Sequence, residues 1–223
     1  MLDELRTRLA AAADPARAPR MQAYMKSAMP YHGVASPVGQ RIYKDVFKDV
    51  AFPDAAAWQA AVRAIWHGAA FREERYAALA LAGHRAAKGF QTPEALRLYE
   101  ELIVDGAWWD FVDDLATHHV GALLRAHPAA IRPAMLAWSQ GDDMWKRRTA
   151  IICQVGAKDA IDLELLYACI EPALASKEFF LRKAIGWALR QHAWRDPEEV
   201  KRYVAAQADR LSPLSRREAL KNL

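Results

Sequence analysis

The sequence predicts an all-α protein, and three observations carry that prediction. Alanine fills 46 of 223 positions while runs of β-branched residues are few, so propensity summed along the chain favours helix over strand. Apolar residues recur at helical spacing, broken by stop signals roughly every 12 to 18 residues. No stretch alternates apolar with polar residues as a half-buried strand would. With 53% hydrophobic and 26% charged residues the composition is that of a folded chain, long enough to bury a core without disulfide or metal staples.

The helix boundaries follow from capping chemistry. Asp54 after Pro53, Thr92-Pro93-Glu94 and Asp196-Pro197-Glu198-Glu199 read as N-caps, a short oxygen-bearing side chain placed to accept from the first free backbone amides. Gly33, Gly68, Gly89, Gly106, Gly141 and Gly156 fall between periodic segments, where glycine is expected to take the left-handed conformation that ends a helix. Four helices open on an aromatic: Phe71-Arg72-Glu73-Glu74-Arg75, Trp108-Trp109-Asp110-Phe111-Val112, Trp145-Lys146-Arg147-Arg148-Thr149 and Phe180-Leu181-Arg182-Lys183-Ala184. The leading aromatics, at positions 71, 108, 145 and 180, recur at a nearly constant interval, with two helices per unit. That period predicts a curved α-solenoid of HEAT-like helical hairpins, each burying its neighbour's apolar face, with a long shallow trough suited to an extended ligand. No linker interrupts the pattern, so residues 1–223 are expected to form a single domain.

Several chemistries lose support at this stage. Neither GxGxxG nor GxxxxGK[ST] occurs, so nucleotide-driven chemistry has no loop to cradle phosphates. The seven histidines, His118 and His119 adjacent among them, form no HExxH or zinc-type spacing, and no metal site is expected. Gly-x-Ser-x-Gly is absent. Cys153 and Cys169 lie in apolar helical stretches and read as two small buried hydrophobes in a reducing compartment. No signal peptide or membrane-length apolar run is present, which predicts a cytoplasmic protein that engages no membrane.

What remains is a set of aromatic and charged residues on the repeat helices. Trp109 and Asp113 are four apart and share a helix face, where an indole and a carboxylate make a partly dry anionic pocket. The ordinary alternative is a tryptophan packed between helices and an acid on a solvated face. Basic residues gather later: Lys146, Arg147 and Arg148, then Arg182, Lys183, Arg190 and Arg195, with Trp187 and Trp194 interleaved. Trp109, Arg148 and Trp187 are spaced close to one repeat apart, so they are candidates for neighbours across the trough. The net charge of +4 favours a polyanion only if these cations share a surface.

These residues resemble those of the bacterial DNA alkylation repair glycosylases of the AlkD type, built from HEAT-like repeats. The resemblance covers most of the chain and rests on four ordered blocks: Tyr24-Met25-Lys26 with Gly33-Val34-Ala35-Ser36-Pro37, Trp108 to Asp113, Arg147-Arg148-Thr149-Ala150, and Lys183 to Arg190. It implies hydrolysis of the N-glycosidic bond of cationic N3- or N7-alkylpurines, such as 3-methyladenine and 7-methylguanine, in duplex DNA. The implied catalytic residues are Trp109, Asp113 and Trp187, with Arg148 beside a backbone phosphate. The implied DNA-contacting residues are Tyr24, Lys26, Pro37 and Arg41 from the first blocks, with Arg147, Arg182, Lys183 and Arg190 from the basic cluster. The implied partner is double-stranded DNA carrying alkylated purines, met by a monomer that is nucleoid-associated when bound. Ala35-Ser36-Pro37 stands where family members often show Gln-Thr-Pro, a departure that bears on a groove contact.

Elementary chemistry agrees with that expectation. A purine alkylated at N3 or N7 already carries positive charge and leaves as a neutral base without protonation, so no cofactor is called for. Positive charge moves onto the deoxyribose as the bond stretches; Asp113 is expected to stabilise it and position water, with Trp109 and Trp187 adding cation–π attraction. A lesion handled in an open trough needs no closed pocket, unlike the usual extruded base. Two other readings stay open: a non-catalytic protein that binds damaged or branched DNA through the same trough, and a protein-interaction scaffold.

Overall fold

The computed structural model describes residues 1–223, and the chain is all-α, with fourteen α-helices and short 3-10 and π turns. This is compatible with a stack of helical repeats. The residues divide into two compact units, Met1–Gln91 and Thr92–Leu223.

The first unit contains α1 (Leu2–Ala11), α2 (Ala18–Met25), α3 (Ser36–Val46), α4 (Ala55–Gly68) and α5 (Arg72–Ala82). Helix α5 packs on α4 and α3, and α1 packs on α3. They enclose Leu5, Leu9, Phe47, Trp58, Ile65, Trp66 and Leu81, each essentially inaccessible to solvent. The expected cap on α4 is present: the Asp54 carboxylate accepts from the Ala57 amide at 2.8 Å. The loop before α3 is fixed from within. Glu73, 2% exposed, accepts from the backbone amides of His32, Gly33 and Val34 at 3.1, 2.9 and 3.1 Å. Phe71 stacks on His32 with ring centroids 3.7 Å apart. Gly33 turns the chain at φ +84°, and a Cβ there would collide with the Asp14 carbonyl, so this loop needs glycine for both conformation and space.

The second unit contains α6 (Leu96–Gly106), α7 (Trp109–Asp114), α8 (Gly121–Ala126), α9 (Pro128–Gln140), α10 (Met144–Ile152), α11 (Leu163–Ile170), α12 (Phe179–Ala193), α13 (Pro197–Ala206) and α14 (Pro213–Ala219). A π-helical turn, Leu115–Val120, joins α7 to α8. Helix α10 packs on α9 and α12, and α12 lies closely against α14. Gly186 permits that approach, because a Cβ would run into the Glu218 side chain and lie 2.9 Å from the Ser215 carbonyl. Asp196 caps α13 by accepting from the Glu199 amide at 2.9 Å.

The aromatic repeat has a physical meaning here. Phe71 and Trp108 are the residues just before α5 and α7, and Trp145 and Phe180 are the second residues of α10 and α12. In the second unit Trp108, Trp145 and Phe180 form one cluster, with centroid separations of 6.1, 5.5 and 4.9 Å. In the second unit, then, the aromatics that open the helices pack on one another, while Phe71 in the first unit stacks on His32.

Two sequence expectations are corrected. Thr92 makes no cap bond to the backbone; it heads a 3-10 turn, Pro93–Ala95, and its hydroxyl donates to the Glu94 carboxylate at 2.6 Å. Of the six glycines read as left-handed helix ends, only Gly33 and Gly156 have positive φ; Lys26, Ala107 and Lys158 take that conformation instead. Gly68 and Gly106 close their helices as ordinary last residues, and Gly141 follows α9 in an extended conformation. Tertiary packing overrides glycine's local preference at these ends. Cys153 and Cys169 are both buried and free. No helix is long and apolar enough to cross a membrane.

Candidate active site

Helix α7 is amphipathic and runs directly into the π turn Leu115–Val120. Phe111 and Val112, followed by Leu115, Ala116 and Val120 of the π turn, are buried. Asp110, Asp113, Asp114, Thr117 and His118 lie on the opposite side and line an open groove of about 700 Å³. Asp113, Asp114, Thr117 and His118, at i, i+1, i+4 and i+5, share the groove side. The Thr117 hydroxyl donates to the Asp113 carbonyl at 2.7 Å within the same turn. Across the groove stand Val155 and Gly156, with Trp187 and Gln191 from α12 and Arg125 from α8.

Arg148 reaches Asp113 from α10, whose first turn is fixed by the Asp143 cap on the Lys146 amide at 2.8 Å. Its Nε and Nη2 donate to Asp113 Oδ1 and Oδ2, both at 2.7 Å, while Nη1 donates to the Phe180 carbonyl at 2.6 Å. The guanidinium also lies 5.9 Å from the centroid of the Phe180 ring. The aromatic cluster at the helix openings therefore forms the support on which this arginine is fixed. Such a two-pronged bond sets the plane of the carboxylate and holds it in its charged form.

The electrostatics of the adjacent Asp113 and Asp114 differ. Burial pushes the Asp113 carboxyl above its ordinary range; the bond and charge of Arg148 oppose this, and nearby Asp110 adds to the rise. Burial also acts to raise Asp114, but bonds and charges from His119 and His118 outweigh it and hold that carboxyl below its ordinary value. His118 Nδ1 lies 3.0 Å from Asp114 Oδ1, and His119 Nε2 lies 3.6 Å from Asp114 Oδ2.

The structure brings together part of the set read from sequence. Asp113 and Trp187 share the groove. Trp109 opens α7 one turn before Asp113 and is half-buried, but the groove lining is supplied by its neighbours rather than by its indole. Arg148, expected beside a phosphate, is instead 5% exposed and turned inward, because Asp113 and the Phe180 carbonyl satisfy all three of its nitrogens. The basic cluster is also partly spent within the chain. Lys183 and Arg190 clasp Glu218 at 3.0 and 2.6 Å, Arg182 Nε donates to the Ser176 carbonyl at 2.9 Å, and Arg147 Nη2 donates to the Pro172 carbonyl at 2.9 Å. In the first unit Tyr24 is 75% exposed, and Lys26, Pro37 and Arg41 are exposed as well; Lys26 caps α2 in a left-handed conformation. Sequence reasoning missed Glu73 as the clamp of the loop before α3, Glu218 as the partner of two of the cations, and the Asp114–His118 pair. Only the last carried a signal, its i, i+4 spacing.

The whole-chain comparisons agree with one another. Residues 5–223 match the model of a family described as DNA alkylation repair enzyme. The fold is similar to a solved structure described as a predicted DNA alkylation repair enzyme from Enterococcus faecalis, with 28% identity and a TM-score of 0.84 over 95% of this chain and 96% of that one. No curated protein matches the sequence significantly.

Proposed function

The chain belongs to the DNA alkylation repair enzyme family, and on that premise we propose that it is a monofunctional glycosylase of the AlkD type, releasing cationic N3- and N7-alkylpurines from duplex DNA. One observation carries this reading: a half-buried carboxylate, Asp113, fixed in plane by Arg148 on the wall of an open groove that it shares with the Trp187 indole.

The chemistry follows from that geometry. A cationic purine departs with the electrons of the C1′–N bond, and the sugar becomes positive as it does so. Asp113, already oriented, supplies the counter-charge without reorganising at the moment of reaction. The Trp187 face adds roughly 0.5–2 kcal/mol of cation–π attraction. Arg148 acts as a positioning residue for Asp113. Trp109 completes the wall if its indole turns toward the sugar on binding. A groove that does not enclose the base suits a lesion left in or near the stack and leaves room for bulky alkyl groups. Tyr24, Lys26, Pro37 and Arg41 in the first unit, with Arg147, Arg182, Lys183 and Arg190 in the second, would contact the duplex as backbone-positioning groups, the paired cations among them with weakened charge. On this reading the chain works as one HEAT-like domain, monomeric and bound to the chromosome in the cytoplasm.

The test is release of free 7-methylguanine from methylated duplex. The wild-type protein releases base, and Asp113→Asn slows release by a factor of about 10² to 10³, roughly 2.7–4 kcal/mol in barrier, with DNA affinity largely intact. Equal turnover by the two proteins refutes the mechanism; DNA binding with no release by wild type points to the non-catalytic relative.

A further inference from the structure

Asp113 is well placed to supply charge and poorly placed to remove a proton. Both of its oxygens are held by Arg148 at 2.7 Å, and protonating it would remove the negative charge that the guanidinium and the sugar both need. Water attacking C1′ must nevertheless lose a proton. The same groove wall holds a second pair that the charge-stabilising step does not use. His118, whose side chain is 73% exposed, sits with Nδ1 3.0 Å from Asp114 Oδ1, and the other Asp114 oxygen lies 3.6 Å from His119 Nε2. His119 is buried and its ring packs 5.1 Å from that of Tyr99, so Asp114 is held from the interior while it orients His118 at the surface. A carboxylate at Nδ1 keeps the proton on that nitrogen and leaves the Nε2 lone pair for a ligand in the groove.

We propose that His118, oriented by Asp114, is the general base that takes the proton of the attacking water. The inference rests on the glycosylase reading and deepens it. The C1′–N bond breaks with its electron pair leaving on the purine. The water oxygen forms the new C1′–O bond. The released proton passes to His118 Nε2, and the imidazolium is held by Asp114 until it loses the proton to solvent. The two carboxylates thus divide the work: Asp113 with Arg148 for the sugar's charge, Asp114 with His118 for the proton. Asp113 and Asp114 are adjacent, and both line the same groove.

The experiment is single-turnover release of 7-methylguanine by the full chain, with duplex affinity measured in parallel. His118→Ala is expected to slow release about a hundredfold, the lower end of the general-base range, with unchanged affinity. Free imidazole added to the buffer is expected to restore much of that rate to His118→Ala and nothing to Asp113→Asn. Asp114→Asn, which keeps an oxygen facing Nδ1, is expected to give an intermediate rate. Release by His118→Ala at the wild-type rate, or a loss that imidazole does not restore, overturns the proposal while leaving the glycosylase reading intact. A wild-type protein that releases no base takes both down together.

Discussion

Glu73 in the first unit and Asp113 in the second are both carboxylates on a helix that follows a leading aromatic, Glu73 in the first turn of α5 and Asp113 at the end of the short α7, and they are satisfied in opposite ways. Glu73 is closed off: its oxygens accept three backbone amides of one loop, and 2% of the residue is exposed. Asp113 is held by a side chain, and 20% of its own side chain faces the groove. Bonds from amides lock a loop's shape around a charge that nothing outside will meet. A guanidinium fixes the carboxylate's plane while one edge still faces the space a ligand would enter. The same chemical group is structural where neutral donors enclose it and available for chemistry where a cation supports it from behind.

The contrast yields ordered expectations. Glu73→Ala has the largest effect: three buried amides lose their acceptor, at about 1–3 kcal/mol each before water relieves them. Urea unfolding should show a loss of several such increments. Glu73→Gln should cost less but still clearly destabilise, since one of its two polar ends would present a donor to amide donors. In either variant, base release by the molecules that remain folded should be unchanged, and a specific loss of catalysis there would break the comparison. Arg148→Met is next. It strands the Asp113 charge at a cost of about 3 kcal/mol in unfolding free energy, and the deficit relative to wild type should shrink on acidification, because a protonated Asp113 needs no partner.

The acid limb of the rate–pH profile sharpens the same point. The native Asp113 carboxyl lies above the ordinary aspartate range because of burial, so activity should fall on acidification sooner than for an exposed aspartate. The sign for stability is the reverse of the usual acidic group: as pH rises through this raised value the native state must carry a buried charge that the unfolded chain carries more cheaply. Glu218 shows the opposite case and the smallest effect. Bonds to Lys183 and Arg190 hold it below its usual value, so its contribution is present above the unfolded glutamate value and is lost as pH falls through the native one. Glu218→Gln should cost about 0.5 kcal/mol at neutral pH in thermal or urea unfolding and almost nothing in strong acid.

Much of the architecture was legible because it is local. The aromatic at each helix opening, the Asp54 and Asp196 caps and the helical periodicity depend on residues a few positions apart, and the structure contains all of them. Asp113 was legible as a site candidate from its place four residues after Trp109, and Trp187 from its repeat spacing with Trp109 and Arg148. The direction of Arg148 was not. It depends on how α10 is rotated against α7 and α12, which the packing of Trp108, Trp145 and Phe180 decides. Nor did a run of basic residues announce that Glu218, 28 positions beyond Arg190, would neutralise part of it. The left-handed ends at Lys26 and Ala107 were hidden because glycine's freedom is a permission, and tertiary contacts chose other residues to make those turns.

The sulfur chemistry of the molecule fits the surroundings in which such a repair protein would work. A cell whose DNA is being alkylated contains the alkylating electrophile itself, and soft electrophiles consume thiolates readily. Cys153 and Cys169 are sealed in the interior, and burial pushes both thiols up, Cys169 to about 12. Almost no thiolate forms near neutrality and little reagent reaches either sulfur, so the protein would outlast doses that titrate exposed thiols elsewhere and stay active during the exposure that creates its substrate.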